Sequence, residues 1–235
     1  MTARENAHGQ PIGHPVPDWQ RCQPIPHTPM LGRICDVLPL HPAHATALHA
    51  AFAKDKTGSL WTYMPVGPFR SEADYADWVK EAAASKDPLF FTIIDKSSAQ
   101  PMGVASFLRM RPQNGVVEVG FITFSPALQH TAMATEAMYL MMKRALGELG
   151  YRRFEWKCDA LNAPSRRAAA RLGFQYEGVF RQALVYKGRN RDTAWYSILD
   201  REWPCLRAGF EAWLAPENFD AAGGQRSALS VRSKK

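Results

Sequence analysis

Apolar and polar positions alternate along this chain with two periods. From Thr131 to Leu149 the apolar residues Ala134, Ala137, Met138, Met141, Ala145 and Leu149 recur at helical spacing, and Gly150 is placed to end the helix. "SEADYADWVKEAAAS" (71–85) predicts a second helix, with Ser71 as N-cap and Asp74 three residues on, close to a capping box. "HPAHATALHAAFA" (41–53), "APSRRAAARLG" (163–173) and "EWPCLRAGFEAWL" (202–214) predict three more, the last with Pro204 in its first turn. Shorter apolar runs predict strands over 32–40, 89–95, 101–110, 115–124, 152–159, 174–188 and 192–200. "RPQNG" carries the Asn-Gly signal of a hairpin, "KGRN" turns the last pair, and "WTYMPVGPF" (61–69) is a Pro/Gly loop carrying aromatics. The order β-α-α-β-β-β-α-β-α-β-β-α is a meander, then β-α-β, then a closing hairpin. It predicts an α/β (α+β) fold, a mixed and mostly antiparallel twisted sheet with helices on both faces.

Composition sets the margins of that domain. Residues 1–30, rich in Pro, His and Gln, read as a loosely ordered arm that Trp19 could anchor, and 216–235 as a basic C-terminal tail, leaving a domain over 31–215. The net charge of +7 is uneven: +3 lies in 220–235 and none in 1–30, so about +4 falls on the middle. A modest positive excess suits an anionic ligand and is too small to demand nucleic acid. No apolar run is long enough to span a membrane, and the start has no signal-peptide core. The four cysteines are scattered without a C-x-x-C pair, so a cytoplasmic protein without a disulfide framework is expected. His and Cys never cluster as a zinc site requires, and no metal is expected.

Three stretches invite chemistry. "SPALQHTAMATEAM" (125–138) is a loop running into a helix, a place where backbone N–H groups can cradle a phosphate, yet it contains no glycine. Taken alone, these residues argue for an ordinary helix start after Pro126. Glu118 lies between Val117 and Val119, and a carboxylate in an apolar strand is costly unless it is paired or faces a cleft. Asn162, between a strand and a helix, has the residue type and position of an N-cap.

Together these stretches carry a resemblance. "VVEVGFITFSPALQHTAMATEAM", "LNAPSRRAAARLGF" and "ALVYKGRNRDTAWYSILDREWP" resemble the GNAT superfamily of acyl-CoA-dependent N-acetyltransferases, and more narrowly the RimJ/RimL type of ribosomal-protein acetyltransferase. The likeness in element order covers roughly 31–203, and the N-x-x-S…L-G-F segment is its most specific part.

The resemblance implies acetyl-CoA as co-substrate and direct transfer to a primary amine, either a protein N-terminus or a small molecule. It implies that backbone groups at Phe121, Ile122 and Thr123 hold the pantetheine and acetyl group. It also implies that Gln129, His130, Thr131, Ala132, Met133 and Ala134 hold the pyrophosphate, with Ala132 in the place of the family's first glycine. If Ala132 needed positive φ it would cost roughly 1–2 kcal/mol; in a helical conformation it would favour the helix by up to about 1 kcal/mol over glycine. Asn162 is implied to bond the pantetheine region and Glu118 to take the amine's proton directly or through water. The family's frequent helix tyrosine is replaced by the run Ala168–Ala170, so Ser165 or water would protonate the leaving thiolate. Arg166 and Arg167 would lie near the cofactor's 3′-phosphate or in solvent. Asp192, Tyr196, Trp61, Tyr63 and Phe69 would line the acceptor side or belong to the core. A module that binds acyl-CoA without turnover, and a ribosome- or RNA-binding role for the tail, are the alternatives. A monomer and a homodimer are both compatible with the sequence.

Overall fold

The computed structural model describes residues 4–221 and 223–231. Among these residues ten strands and five α-helices follow the expected order, with three short additional strands near the start. Strands β1 (Arg4–Glu5) and β2 (Pro11–Ile12) pair only with each other. The main sheet holds β3 (Met30–Leu31), β4 (Cys35–Pro39), β5 (Leu89–Asp95), β6 (Pro101–Arg111), β7 (Val116–Phe124), β8 (Arg153–Asp159), β9 (Gln175–Tyr186) and β10 (Arg189–Leu199). Its spatial order is β3-β4-β5-β6-β7-β8-β10-β9. Every pair is antiparallel except β7 with β8, so the β-α-β unit sits between a meander and a hairpin, as the pattern predicts.

Two cores cover opposite faces. Helices α1 (Ala45–Phe52) and α2 (Glu72–Ala84) pack Leu48, Phe52, Tyr75 and Val79 against Phe90 and Val104. On the other face α3 (Ala132–Met142), α4 (Ala163–Arg171) and α5 (Trp203–Leu214) pack Met138, Met141, Ala169 and Phe210 against Phe107, Val119, Phe154 and Ile198. The predicted long helix of 131–149 is thus α up to Met142 and widens into a π segment over Lys143–Glu148; Gly150, at φ 66°, then turns the chain. Ser71 caps α2 by accepting the Asp74 N–H at 3.1 Å. Buried Glu136 of α3 accepts the N–H groups of Arg33, Ile34 and Cys35 at 2.9, 2.7 and 2.7 Å and so fixes the entry to β4. A Cβ on Gly32 would lie 2.7 Å from that carboxylate, which leaves glycine as the residue that fits.

Both margins are more closely tied than their composition suggests. Trp19 donates to the Gln113 carbonyl at 3.0 Å, Tyr151 donates to the Gln23 carbonyl at 3.1 Å, and Cys22 and Ile25 are buried. Ile12 and Val16, nearer the start of the arm, remain exposed. At the other end Val231 is buried where Gly173 and Gly209 leave room: a Cβ on Gly209 would meet the Ser230 carbonyl at 2.6 Å. The basic residues Arg232, Lys234 and Lys235 lie outside the described residues.

Candidate active site

The parallel seam of the sheet is only half closed. Strands β7 and β8 are in register from Val116↔Arg153 to Val119↔Trp156, and beyond Val119 they no longer pair. Phe121, at φ 49°, bulges β7 against β6, and a bulge bends and twists its strand. The end of β8 instead follows β10, through Lys157↔Trp195, Cys158↔Ala194 and Asp159↔Thr193. The edge of Gly120–Phe124 that faces away from β6 is left without a strand partner. Backbone groups on such an edge can pair with an extended ligand. Phe121 packs its ring on Phe90 (centroids 5.1 Å apart), Ile122 packs on the opposite core, and Thr123 Oγ1 donates to the Phe121 carbonyl at 3.3 Å.

At the end of this edge the chain turns into α3. Thr131 is the N-cap, its Oγ1 accepting the Ala134 N–H at 3.1 Å and donating to the Leu128 carbonyl at 2.7 Å. The N–H groups of His130, Thr131, Ala132 and Met133 have no acceptor among the described residues. Four unpartnered donors at the positive end of a helix suit an anion such as a phosphate group. Ala132 is the first residue of α3, so its conformation is helical and its methyl strains no dihedral. The left-handed residue of the loop is His130, at φ 61°. Gln129 turns inward, its Nε2 donating to the Phe124 carbonyl at 3.0 Å, and Ala134 has given its N–H to the cap; neither adds a donor to the cradle.

Asn162 caps α4, its Oδ1 accepting the Ser165 N–H at 3.1 Å, while its amide nitrogen has no partner among the described residues. Ser165 Oγ accepts the Trp156 indole N–H at 2.9 Å, which holds the hydroxyl against β8. Arg166 is engaged within the protein: its Nε donates to the Tyr196 hydroxyl at 3.0 Å and its Nη1 to the Ala160 carbonyl at 3.3 Å. Because β7 and β8 are neighbours, the loops at their carboxyl ends, 125–131 and 160–162, open on one rim of the sheet, where α/β folds commonly bind ligands.

Glu118 requires a correction. It is only 3% exposed, and Arg109 Nη1 donates to its two oxygens at 2.7 and 2.8 Å while Lys157 Nζ donates to Oε2 at 2.8 Å. Lys157, itself 8% exposed, also reaches Glu155 Oε2 at 2.7 Å and lies 3.8 Å from the Trp195 ring centroid. Arg153 extends the chain of charges from Glu155 to Glu177. Burial pushes the Glu155 carboxyl up, but hydrogen bonds from Lys157 and Arg153 outweigh it and hold it below the usual carboxylate range. A free base was expected at Glu118; the carboxylate found there belongs to a charge-balanced buried network. Sequence reasoning missed Lys157 and Arg109 as its partners, although "RFEWKCD" shows the signal, with charges at 153, 155 and 157 sharing one strand face.

The acceptor-side candidates separate. Trp61 is buried in a ring cluster with Phe52 and Phe69, at 5.5 and 5.3 Å, and belongs to the core. Tyr196 lies buried on the α4 side. Asp192 accepts the Gln182 N–H at 2.7 Å and shapes the β9–β10 bulge. Tyr63 reaches over the rim and donates to the Leu161 carbonyl at 3.2 Å. Among the described residues no group of three or more His, Cys, Asp or Glu is gathered for a metal ion, and no helix is long and apolar enough to cross a membrane.

Residues 37–175 match the family model described as acetyltransferase (GNAT) domain. A GCN5-related N-acetyltransferase from Brucella melitensis superposes with a TM-score of 0.89 at 43% identity, covering 91% of this chain and 97% of that one. The N-acetyltransferase p20 of Bacillus licheniformis, itself uncharacterised, is 28% identical over 150 residues, 60% of this chain and 80% of p20. RimL, a ribosomal L7/L12 alpha-N-protein acetyltransferase, shares the fold with a TM-score of 0.62 at 21% identity, covering 76% of this chain and 94% of RimL.

Proposed function

Because the chain belongs to the GNAT acetyltransferase family, we propose that it transfers an acetyl group from acetyl-CoA to a primary amine by direct attack, without an acyl-enzyme. The observation that carries this reading is the coincidence of an open strand edge with four unpartnered N–H groups at the start of α3. When bound, acetyl-CoA supplies an activated acyl group and a thiolate leaving group. On this reading the backbone of Phe121, Ile122 and Thr123 aligns the pantetheine arm, the N–H groups of residues 130–133 take the pyrophosphate, and the Asn162 amide nitrogen adds a donor on the facing rim. Ser165, whose oxygen accepts from Trp156 and whose hydroxyl also reaches the Cys158 thiol, is the side chain proposed to protonate the thiolate. Glu118 acts as a positioning residue: with Lys157 and Arg109 it fixes the closed half of the seam, and the amine's proton leaves through water.

The acceptor proposed is a protein α-amine, in keeping with the RimJ/RimL-like motif stretches and the fold shared with RimL. Titration calorimetry with acetyl-CoA, followed by a thiol-release assay over peptides with free α-amines, polyamines and amino acids, tests both levels. Binding at micromolar concentration with peptide turnover is expected. No binding below about 1 mM, an affinity worth only about 4 kcal/mol, would sink the reading. Binding without turnover on any amine would leave an acyl-CoA-binding module.

A further inference from the structure

Residues 61–66 join α1 to α2 by way of the rim, and their contacts reach both lips of the open seam. Met64 Sδ lies 3.8 Å from Thr123 Oγ1 on β7, while the adjacent Tyr63 donates to the Leu161 carbonyl beyond β8. The segment therefore crosses the slot as a strap. Its near end is fixed by buried Trp61, whose ring lies where a Cβ on Gly67 would come within 2.6 Å; Gly67, at φ 63°, suits glycine on both counts.

Both ends of the strap are held by the β9–β10 turn. Lys187 Nζ donates to the Trp61 carbonyl at 2.7 Å and the Val66 carbonyl at 3.1 Å, and Arg189 Nη2 donates to the Thr62 carbonyl at 2.7 Å. The same hairpin grips the loop after β8, through Tyr186 Oη to Asp159 Oδ2 at 2.8 Å and the Ala160 N–H to the Asp192 carbonyl at 2.8 Å. Strap, hairpin and loop are thus joined pairwise into a closed ring. Carbonyls in a connecting loop are ordinarily satisfied by water; here three of them are taken by two cations from an element far away in sequence.

Resting on the acetyl-transfer reading, we propose that Lys187 and Arg189 are positioning residues for the acceptor. By holding three strap carbonyls they keep Tyr63 and Met64 across the slot, and the amine enters beneath the strap. The turn supplies charge and reach, and the strap needs no contact of its own with the cofactor.

The test compares the full chain with K187M/R189M and the conservative K187R/R189K. Hydrogen exchange at the amides of residues 62–64 and 66 is expected to quicken roughly threefold or more in K187M/R189M, with α3 and β5–β7 unchanged, and to be restored largely in K187R/R189K. With a serine-starting tetrapeptide as acceptor probe, the acceptor KM is expected to rise about three- to tenfold while kcat and the calorimetric Kd for acetyl-CoA stay within about twofold. Unchanged exchange over 62–66 overturns the proposal. So does quickened exchange with an unchanged acceptor KM. If the wild type binds no acetyl-CoA or does not turn over the tetrapeptide, the acetyl-transfer reading fails on its own terms, and the exchange data alone decide whether the turn holds the strap.

Discussion

Over Val116–Val119 strand β7 has β8 in parallel register on one side and β6 on the other, whereas over Gly120–Phe124 the same strand has β6 alone. The closed half places Glu118 directly beside Glu155 across the seam. Two carboxylates at neighbouring positions repel, and the pair is tolerated because the Lys157 ammonium lies 2.8 and 2.7 Å from them. The open half carries no such clamp. Its strand bulges at Phe121, and the facing end of β8 is drawn to β10 and tied through Asp159 to Tyr186. The comparison teaches how a sheet keeps a slot in its middle. One end of the seam is fastened by charge, the other is left unpaired, and the strands that part are each held by their outer neighbours.

The sharpest way to break the comparison is Lys157→Met. It leaves Glu118 and Glu155 adjacent, buried and short of a counter-charge, and should cost roughly 3 kcal/mol in urea unfolding at pH 7. The loss should shrink at pH 5, where one carboxyl of the pair can take up a proton; an equal loss at both values would mean that the clamp is not electrostatic. Glu118→Gln should cost about 1–2 kcal/mol and lower kcat modestly while leaving the shape of the pH–rate profile unchanged. Loss of the acidic limb from that profile would restore Glu118 as the proton acceptor.

Acid titration probes the same half with less force. The folded-state carboxyl of Glu155 lies below its unfolded value, so its contribution is fully present above about pH 4.3 and is lost as the pH falls through the depressed value. Stability measured from pH 6 to pH 3 should fall more gently in Glu155→Gln than in the wild type. The open half is probed by Ala132→Gly, which should destabilise the protein by up to about 1 kcal/mol without tightening acetyl-CoA, because the methyl sits on a helical residue. The smallest effect is expected from His130→Gly. It relieves a left-handed residue and should change stability by under about 1 kcal/mol, with acetyl-CoA affinity kept because the donors are backbone N–H groups. A large loss of affinity would show instead that the imidazole itself binds.

Much of the fold was legible because its signals are local. Ser71, Thr131 and Asn162 stand at helix starts, Gly150 and Gly173 at helix ends, and alternation along "VVEVGFITF" and "RFEWKCD" marks strands with one charged face. The loop over 129–134 and the cap at 162 were readable as one rim because β-α-β connectivity makes β7 and β8 neighbours. A polar, proline-rich stretch reads as loose, and Trp19, which the sequence offers as its anchor, docks the arm together with Cys22 and Ile25.

What the chain by itself determined is therefore the order of elements, their ends and the face on which each residue lies, since these depend on neighbours a few positions away. Only the tertiary structure decided that Lys157 stands between Glu118 and Glu155, that His130 rather than Ala132 takes the left-handed turn, and that a lysine at 187 holds the carbonyls of 61 and 66. Each of those depends on strand register or on contacts between segments distant in sequence. A one-residue change of register would move every side chain of a strand to the other face and dissolve the clamp without altering a single local preference.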